Sequence, residues 1–424
     1  MVGVRDSSVC DRIQNSATMP AAGRETAATQ TDQRIRVLHI GKFYDPFVGG
    51  MESHIQALAE ASAPAVENTV IVSNQGHRTL QEIVRGIRVI RAGRSCTVAG
   101  APLCPSMAWK IARSNADIIH IHLPNPGAVL SYLASGHTGK LVLTEHGEVF
   151  GRRALKATFQ PFLRAALNRA SAVVATSEAY VAQSSVLSAV PDKCYVIPLG
   201  IRTDPFENVD SRKVSEVKTR FPGPLYVAAG RLVRFKGFQY LIPAMASIKG
   251  TLLIIGDGPL ASPLRALAIA CGVAGRVHQL GAMPNRDVAP YMQAADIFVF
   301  PSIESRESFG IVQLEAMVCG KPVINTSLKS GVPLVSLDGI TGLTVPPADT
   351  AALAAAMARL AGNPELRDKL GAAARVRVKR EFTVEIMARR TVDLYRRVLR
   401  RSHPIHQVSS EGEEPPLFHS ARPA

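Results

Sequence analysis

Short runs of apolar, β-branched residues alternate with longer amphipathic stretches along most of this chain. The apolar runs of the first half are IRVLHIG (35–41), TVIVS (69–73), GIRVI (86–90), DIIHIH (117–122), LVLT (141–144) and AVVAT (172–176). Between them lie stretches with helical spacing, such as Met51, Ile55 and Leu58, which fall on one face of a helix. Repeated strand–helix–strand units of this kind predict a parallel sheet with helices on both of its faces.

A second series of the same kind follows a break in this pattern. The break is YVIPLGIRTDPF (195–206), whose two prolines and one glycine are typical of a linker. The apolar runs beyond it are LYVAAG (225–230), TLLIIG (251–256), RVHQLG (276–281), DIFVFP (296–301) and PVINT (322–326). Two α/β domains are therefore predicted, with a ligand-binding cleft at the carboxyl ends of their strands.

The predicted organisation has five segments. The polar segment 1–33 and the tail 402–424 lack periodicity and are expected to be disordered. The first domain takes up 34–200 and the second 201–382, and a helical pattern at 383–401 follows them. The total length of 424 residues agrees with two domains of ordinary size.

Composition narrows the class of protein. Hydrophobic residues make up 46% of the chain and charged residues 20%, which excludes general disorder and fibrous repeats. No apolar run reaches the roughly 18 residues of a membrane-spanning helix, and the first residues lack the apolar core of a signal peptide. The six cysteines form no CxxC pair, so we expect reduced thiols and a cytoplasmic protein.

The charge balance indicates an anionic partner. Lys and Arg number 49 against 34 Asp and Glu, a net charge of +15. Nucleic acid, an acidic lipid surface or a phosphorylated small molecule would each suit it, and a surplus that only keeps the chain soluble is the alternative. Aromatic residues are only 5%, and no helix-turn-helix, zinc or RNA-recognition pattern is present, which disfavours nucleic acid.

Two loops that follow strands have the composition of a phosphate site. Gly49 and Gly50 precede a helix in GKFYDPFVGGMESHIQALAE, where a phosphate could approach the backbone and the free N–H groups of the helix start. The loop is not GxGxxG, which disfavours a dinucleotide dehydrogenase. Arg231 and Lys236 follow a strand in GRLVRFKGFQYLI and could hold a diphosphate. Taken singly, each loop is equally consistent with an ordinary turn or a solvated basic loop.

A pair of glutamates is the most specific feature. Glu307 and Glu315 stand with seven residues between them in PSIESRESFGIVQLEAMVCGKPVI (301–324), and a helix is predicted from near Gly310. Glu315 would then lie about one turn into the helix and could accept hydrogen bonds from sugar hydroxyls. A single glutamate near a helix start is often only a partner of the helix dipole, which fits the pair less well.

Histidines and one further glycine complete the candidates. His146 follows a strand in LTEHGEVF and could act as an acid, a base or a partner of a sugar hydroxyl. His120 and His122 alternate on a strand, and without a third ligand at a suitable spacing we predict no metal site. Gly258 lies in a strand-ending turn, GDGP, that would allow a nucleotide to approach the backbone or would simply turn the chain.

In this order, the segments resemble the GT-B glycosyltransferases of family four, which are retaining and metal-independent. The resemblance covers nearly all of 34–400, and its most specific part is the Glu-x7-Glu motif followed by EAMVCGKPVI. It implies an α/β fold of two Rossmann-like domains that face each other across a cleft. It also implies that the enzyme needs no metal or other cofactor and that the last helix crosses back to the first domain.

The resemblance implies roles at the reacting centre. Glu307 would contact the donor sugar, and His146 would lie near its reacting face. Arg231 and Lys236 would bind the diphosphate and stabilise it as it leaves.

The resemblance also implies a set of donor-binding residues. Glu315 would hold the ribose hydroxyls of the nucleotide. The other members contribute backbone near the sugar, the phosphates or the nucleotide: Gly49, Gly50, Gly258, Phe309, Gly310 and Ile311.

The implied function is transfer of a hexose from a nucleotide diphosphate sugar to a glycan acceptor. GDP-mannose is favoured over a UDP-hexose, because the second-domain sequence looks like enzymes of O-antigen and exopolysaccharide assembly. The stretch 154–170 is basic, and with Arg152 and Arg153 it could rest on anionic lipid at the inner face of the cytoplasmic membrane, although Pro161 disfavours one continuous helix. A lipid-linked acceptor would suit that position.

Two other functions remain as alternatives. An epimerase or a phosphorylase could share the fold, although no residue stands out as the lysine that would hold pyridoxal phosphate. A nucleic-acid-binding protein would have to explain two carboxylates, Glu307 and Glu315, in a cleft for anions. A sugar with many hydroxyls explains them better.

Overall fold

The computed structural model describes residues 34–47, 49–98, 100–147 and 153–400. The segments 1–33 and 402–424, which the sequence analysis expects to be disordered, lie outside this range. Two Rossmann-like α/β domains make up the described chain, and each is built around one sheet. The predicted fold class is confirmed.

The strands of the first domain are mostly buried and rich in β-branched residues, as is usual for strands covered on both faces. They are β1 (Ile35–Ile40), β2 (Val66–Ser73), β3 (Leu80–Val84), β4 (Ile87–Ala92), β5 (Cys96–Val98), β6 (Ala101–Leu103), β7 (Ile118–Leu123), β8 (Lys140–Glu145), β9 (Ala170–Ala175) and β10 (Cys194–Val196). Eight of them form the sheet β10-β9-β8-β7-β1-β2-β4-β3. The order reverses between β1 and β7, which makes the carboxyl ends of these two strands the natural ligand position.

Two details of the first domain depart from the purely parallel sheet that the sequence predicts. β3 pairs antiparallel with β4 at the sheet edge, and β5 pairs antiparallel with β6 in a separate hairpin. β3 carries two exposed apolar residues, Leu80 and Ile83, so it lacks the buried pattern by which the other strands are recognised.

The helices of the first domain connect these strands. They are α1 (Gly50–Ser62), α2 (Pro105–Ala112), α3 (Pro126–Ser135), α4 (Arg153–Arg169) and α5 (Glu178–Gln183), followed by two 3-10 turns at Leu187–Ala189 and Pro191–Lys193. Asn125 caps α3 by accepting the N–H of Ala128 at 3.1 Å, and Pro126 takes the first helical position. α4 is one helix with Pro161 inside it, so the expected interruption at that residue is wrong.

The second domain contains a six-stranded parallel sheet of order β13-β12-β11-β14-β15-β16. Its strands are β11 (Leu225–Ala229), β12 (Thr251–Ile255), β13 (Val277–Gly281), β14 (Ile297–Val299), β15 (Val323–Thr326) and β16 (Gly342–Val345). One face packs on a core around Phe298 and Leu314, and the other on a core around Tyr226 and Leu241. Both cores are buried, which leaves the strand ends as the place for a ligand.

Ten helices begin after residue 203 in the described chain. They are α6 (Asp204–Glu207), α7 (Ser211–Arg220), α8 (Phe238–Ala244), α9 (Ala261–Ala270), α10 (Asn285–Ala294), α11 (Val312–Val318), α12 (Val332–Val335), α13 (Thr350–Ala361), α14 (Pro364–Glu381) and α15 (Val384–Arg400), with 3-10 turns at Arg234–Lys236 and Met245–Ser247. Among the described helices, none combines the length and the apolar character needed to cross a lipid bilayer.

The last helix, α15, packs on the first domain although the chain enters it from the second. Its Tyr395 is buried in the same cluster as Val37 of β1. The chain passes between the domains twice, side by side, because the Ile201 N–H donates to the carbonyl of Phe382 at 2.9 Å and the Val384 N–H donates to the carbonyl of Ile201 at 3.1 Å. This paired crossing joins the two domains.

Candidate functional site

The strand order of the second sheet reverses between β11 and β14, and the loops after these strands carry two predicted residues. Lys236 follows β11 and Glu307 follows β14. Lys236 Nζ lies 2.5 Å from Oε2 of Glu307, and the two side chains are only 15% and 12% exposed. The same ammonium lies 4.9 Å from the centre of the Phe300 ring. A carboxylate and an aromatic face therefore fix a positive charge where open α/β sheets bind their ligands.

Close backbone contact holds the two loops together. The Ile303 N–H donates to the carbonyl of Phe235 at 2.8 Å, and Gly237 approaches the carbonyl oxygen of Pro301. A Cβ on Gly237 would lie 1.8 Å from that oxygen, and its φ of +75° already favours glycine. The glycine after Lys236 thus lets the two loops meet.

The GDGP turn packs on the loop that carries Arg231. The Leu232 N–H donates to the carbonyl of Asp257 at 2.9 Å. A Cβ on Gly258 would lie 2.6 Å from the Leu232 carbonyl oxygen, and one on Gly256 would lie 2.0 Å from that of Gly230. The close backbone packing is sufficient to require glycine at both positions, whether or not a nucleotide binds there. Arg231 itself is exposed.

The loop between the two glutamates turns sharply before α11. Gly310 has a φ of +76°, and a Cβ there would lie 2.6 Å from the Phe300 ring. Phe309 is buried and packs edge-on against Phe382, so only its backbone can serve a ligand. The helix begins at Val312, two residues after the predicted start. Ile311, between Gly310 and Val312, occupies the N-terminal capping position of α11.

Glu315 lies in the first turn of α11 and is half-buried. Burial raises the pKa of its carboxyl from the usual 4.5 to about 7. At neutral pH this carboxyl is therefore present in both protonation states, and it can accept or donate a hydrogen bond to hydroxyl groups.

The first domain meets this loop at His146. His146 follows β8, and its backbone carbonyl accepts a hydrogen bond from the Ser308 hydroxyl at 3.0 Å. The carbonyl of Ser308 in turn accepts the Gly331 N–H at 2.8 Å. His146 is thus hydrogen-bonded to the residue that follows Glu307, the first glutamate of the motif. This bond links the predicted residues of both domains.

The start of α1 approaches the same place. α1 begins at Gly50, with Gly49 in extended conformation before it and no side-chain cap on the helix. A Cβ on Gly50 would meet nothing within 4 Å, whereas one on Gly49 would lie 2.3 Å from Oε2 of Glu52, in the first turn of the helix. One turn further on, the ring of His54 packs edge-on against His146 with centroids 4.6 Å apart.

The sequence analysis missed a cluster of five histidines beneath this site. Neighbouring rings have centroids 4.4 to 5.5 Å apart. The members come from β1, α1, β7 and the end of β8: His39, His54, His120, His122 and His146. The sequence does place histidines on both β1 and β7, and His39 pairs opposite His120 in the sheet. That these two strands are neighbours is known only from the strand order.

Burial lowers the pKa of every histidine in this cluster. The pKa of His39 and of His146 falls to about 4, and those of the other three lie well below the usual value. The rings are therefore neutral at neutral pH.

The cluster brings together sets of three histidines, the number of protein ligands that a metal site would need. One nitrogen from each of His54, His122 and His146, or from each of His39, His120 and His122, lies within 4.8 Å of the others. The structure thus places a third histidine, His39, beside His120 and His122, although the spacing in the sequence offered none. Hydrogen bonds nevertheless occupy several of these nitrogens, among them both nitrogens of His120, whose partners are the hydroxyls of Tyr395 and Thr144.

The basic helix proposed for a lipid surface is partly described. Arg164 and Arg169 of α4 are exposed, and Phe162 of the same helix is 46% exposed. Arg152 and the side chains of Arg153 and Lys156 lie outside the described part of the protein.

Comparison with known families gives two adjoining matches. Residues 48–205 match the family model described as Glycosyltransferase Family 4, and residues 212–377 match the one described as Glycosyl transferases group 1. These ranges contain most of the site residues described above.

Alignments with individual relatives cover most of this chain. The chain is 30% identical to "D-rhamnosyltransferase WbpZ" of Pseudomonas aeruginosa over 355 residues, 82% of this chain and 92% of the relative. It is 28% identical to "O-antigen chain mannosyltransferase C" of Escherichia coli over 86% of this chain and 99% of the relative.

Solved structures agree with this fold. A sucrose-phosphate synthase from Thermosynechococcus elongatus superposes with a TM-score of 0.72 at 25% identity, over 87% of this chain and 100% of that one. A glycosyltransferase from Rickettsia africae superposes with a TM-score of 0.69 at 21% identity, over 86% and 99%. This chain belongs to glycosyltransferase family 4 and is a glycosyltransferase with the GT-B fold.

Proposed function

We propose that the enzyme transfers a hexose from a nucleotide diphosphate sugar to a glycan acceptor, with retention of anomeric configuration. The observation that carries this proposal is the Lys236–Glu307 pair at the point where the strand order of the second sheet reverses. A fixed cation beside a carboxylate suits a molecule that joins a diphosphate to a polyhydroxylated ring.

Lys236 stabilises the leaving group. Breaking the bond between the anomeric carbon and the diphosphate oxygen leaves the electron pair on that oxygen. A preorganised ammonium next to it lowers the barrier, and Arg231 adds a second, exposed cation from the same loop. Charge stabilisation by these side chains is our reason for proposing a reaction that requires no metal.

Carboxylates orient the sugar and the nucleotide. Glu307 accepts hydrogen bonds from the hydroxyls of the donor sugar while its other side faces Lys236. Glu315 pairs with the ribose hydroxyls, where its raised pKa allows it to accept one hydrogen bond and donate another. The backbone between them, with its sharp turn at Gly310, lies along the sugar and the phosphates.

His146 completes the site from the first domain. Its backbone is tied to Ser308, so the ring lies beside the loop that holds the donor sugar. The acceptor hydroxyl attacks the anomeric carbon on the face from which the diphosphate departs, and the hydroxyl proton passes to the departing oxygen. Gly49 and Gly50 supply free N–H groups to the phosphates from the start of α1.

GDP-mannose is the donor that we propose, ahead of a UDP-hexose. The names of several relatives support it, since they include an O-antigen mannosyltransferase and a GDP-mannose-dependent phosphatidylinositol mannoside mannosyltransferase. The same names support a lipid-linked acceptor in cell-surface polysaccharide synthesis.

We also propose contact with an anionic membrane through α4. Exposed Phe162 together with Arg164 and Arg169 combines apolar and basic groups on one helix. Binding to phosphatidylglycerol vesicles should fall steeply with salt, and Arg164→Glu should weaken it more than Arg212→Glu on α7. Binding that does not change with salt, or that Arg164→Glu weakens no more than Arg212→Glu does, contradicts this part of the proposal.

A donor assay tests the reaction. The protein is incubated with GDP-mannose or a UDP-hexose, with and without lipid-linked glycan and with a chelator, and the free nucleoside diphosphate and glycan products are measured. We expect acceptor-dependent release of one diphosphate and a product whose anomeric configuration matches the donor. An epimerised nucleotide sugar, or sugar phosphate formed with inorganic phosphate, would instead favour an epimerase or a phosphorylase.

A further inference from the structure

A chain of hydrogen bonds runs from the interior of the first domain to His146. Asn68 Oδ1 lies 3.2 Å from Nε2 of His39. His39 Nδ1 lies 3.2 Å from Nε2 of His122, and His122 Nδ1 lies 3.2 Å from Nε2 of His146. The first three members are buried, and His146 is the half-exposed end beside Ser308.

The direction of this chain is set at Asn68. Its amide nitrogen donates to the carbonyl of Ala59 at 2.8 Å and to the hydroxyl of Ser62 at 2.9 Å. That hydroxyl donates in turn to the carbonyl of Leu58 at 2.7 Å. A flipped amide would place an oxygen against the Ala59 carbonyl, so the Asn68 oxygen must face His39.

Each neutral imidazole passes this direction on, because one of its nitrogens is a donor and the other an acceptor. His39 donates from Nε2 to Asn68, so its Nδ1 accepts from Nε2 of His122. His122 then has a bare Nδ1, which accepts from Nε2 of His146. The only arrangement that satisfies all three bonds leaves Nδ1 of His146 without a proton.

We propose that Asn68, His39 and His122 are positioning residues that hold His146 in the tautomer with Nε2 protonated, so that Nδ1 accepts a hydrogen bond from a hydroxyl of the bound sugar. The hydrogen bond from the sugar to His146 rests on the proposed function, whereas the tautomer of His146 does not. The low pKa of the buried rings supports the neutral chain on which the argument depends.

His120 provides a matched control within the same cluster. It lies two residues before His122 on β7, and the two rings stack at 4.4 Å. Its Nδ1 lies 2.6 Å from the Tyr395 hydroxyl and its Nε2 lies 2.6 Å from the Thr144 hydroxyl. Both nitrogens are thus used outside the chain that leads to His146.

A metal ion is the competing use of these rings. A cation held by His54, His122 and His146 would take the lone pairs that the chain assigns to hydrogen bonds. Both nitrogens of His122 lie 3.2 Å from a nitrogen of another ring, His39 on one side and His146 on the other, so a metal at His122 would break one of these two bonds. We therefore favour the hydrogen-bonded chain and make the metal an outcome of the test.

The experiment reads the tautomer directly. The full chain is labelled with ¹⁵N-histidine, its metal content is measured, and the ring nitrogens are observed at neutral pH without substrate. His146→Gln identifies the His146 signals. We expect an unprotonated Nδ1 and a protonated Nε2 for His146 in the wild type, loss of this single state in His122→Leu, and its retention in His120→Gln.

Rescue separates positioning from general destabilisation. In His122→Gln the amide can donate to His39 and accept from His146, so we expect the single tautomer to return. In His122→Leu we expect donor binding to weaken about tenfold, the size of one hydrogen bond, with recovery in His122→Gln. If His122→Leu does not fold, Asn68→Ala carries the same expectation for the tautomer.

Three results would overturn the proposal. They are a His146 protonated on Nδ1 in the wild type, a tautomer unchanged in both His122→Leu and Asn68→Ala, or a stoichiometric metal bound through these rings. Because the tautomer is measured without a sugar, it tests the chain even if the enzyme turns out to use another donor class.

Discussion

The hydroxyl of Ser308 donates a hydrogen bond of 3.0 Å to the backbone carbonyl of His146. Ser308 immediately follows the first glutamate of the motif in the second domain, and His146 immediately follows β8 of the first. One bond therefore connects the loop that would hold the donor sugar with the domain that would supply the acceptor. It also keeps the end of the histidine chain beside that loop.

Ser308→Ala should weaken donor use and leave the protein folded. Loss of one such bond lowers the free energy of unfolding by about 1 kcal/mol, whereas both domains would lose a fixed contact beside the sugar. We expect the KM for the donor to rise about fivefold. Steady-state kinetics with Ser215→Ala, an exposed serine on α7, as the control would check this, and equal KM values for the two variants would refute it.

Lys236→Met should remove most of the activity. The substitution keeps an unbranched side chain, one atom shorter, but deletes the ammonium that lies 2.5 Å from Glu307, where the leaving diphosphate would gather charge. We expect kcat to fall by about 100-fold or more, the usual loss for one preorganised transition-state partner.

A control distinguishes this loss from a change of net charge. Lys213→Met removes a cation from the exposed face of α7 and should leave kcat near that of the wild type. Comparable kcat values for Lys236→Met and the wild type would mean that the proposed leaving-group site is elsewhere.

Glu315 should make stability depend on pH in a defined direction. Its pKa is raised from the usual 4.5 to about 7 by burial. Between pH 4.5 and pH 7 the carboxyl is ionised in the unfolded chain but protonated in the folded one, so each rise in pH stabilises the unfolded state relative to the folded state. The contribution of Glu315 to stability is therefore complete below pH 4.5 and is lost as the pH rises through about 7. Glu315→Gln, which carries no charge, should lack this dependence.

Melting temperatures at a series of pH values would measure that effect. The melting temperature of Glu315→Gln relative to the wild type should increase between pH 5 and pH 8, because the wild-type carboxyl loses its proton in the folded state as the pH rises through about 7. A difference that stays constant over this range would show that the pKa of the Glu315 carboxyl is not raised in the folded protein.

Gly237→Ala should destabilise the second domain because the new methyl group would lie 1.8 Å from the carbonyl oxygen of Pro301. Gly223→Ala is the matched control, since Gly223 also has a positive φ, +86°, but a Cβ there would meet nothing within 4 Å. The backbone strain, about 1 kcal/mol, is common to both, so the larger loss in Gly237→Ala measures the close approach of the two loops. Equal melting temperatures for the two variants would contradict that close approach.

The two-domain fold was predictable because its central strands are buried on both faces. Strands such as β7 and β11, in which every residue is buried, stand out as continuous apolar runs. β3 was not predictable in this way, because an edge strand with exposed Leu80 and Ile83 carries no such pattern. Its antiparallel pairing follows from the tight turn at Arg85 and Gly86, whose positive φ values the sequence alone does not reveal.

The candidate site was predictable where its residues are close in sequence. Glu307 and Glu315 belong to one loop and one helix, so their spacing indicated a shared role. The histidine chain joins residues as distant as His39 and His146, and its hydrogen bonds depend on strand order and on ring orientation. Local pattern contains neither, so these contacts required the structure.

The central claim is that the second domain binds a nucleotide sugar around Lys236, Glu307 and Glu315. A thermal-shift panel of nucleotides and nucleotide sugars, run with chelator on the wild type and on Glu315→Ala, tests it most directly. A ligand at about 100 times its Kd stabilises a protein by about 2.7 kcal/mol, so binding would be visible. We predict that GDP or GDP-mannose raises the melting temperature of the wild type and that Glu315→Ala loses this shift. No shift with any saturating nucleotide, or an equal shift in both proteins, would contradict the assigned donor site.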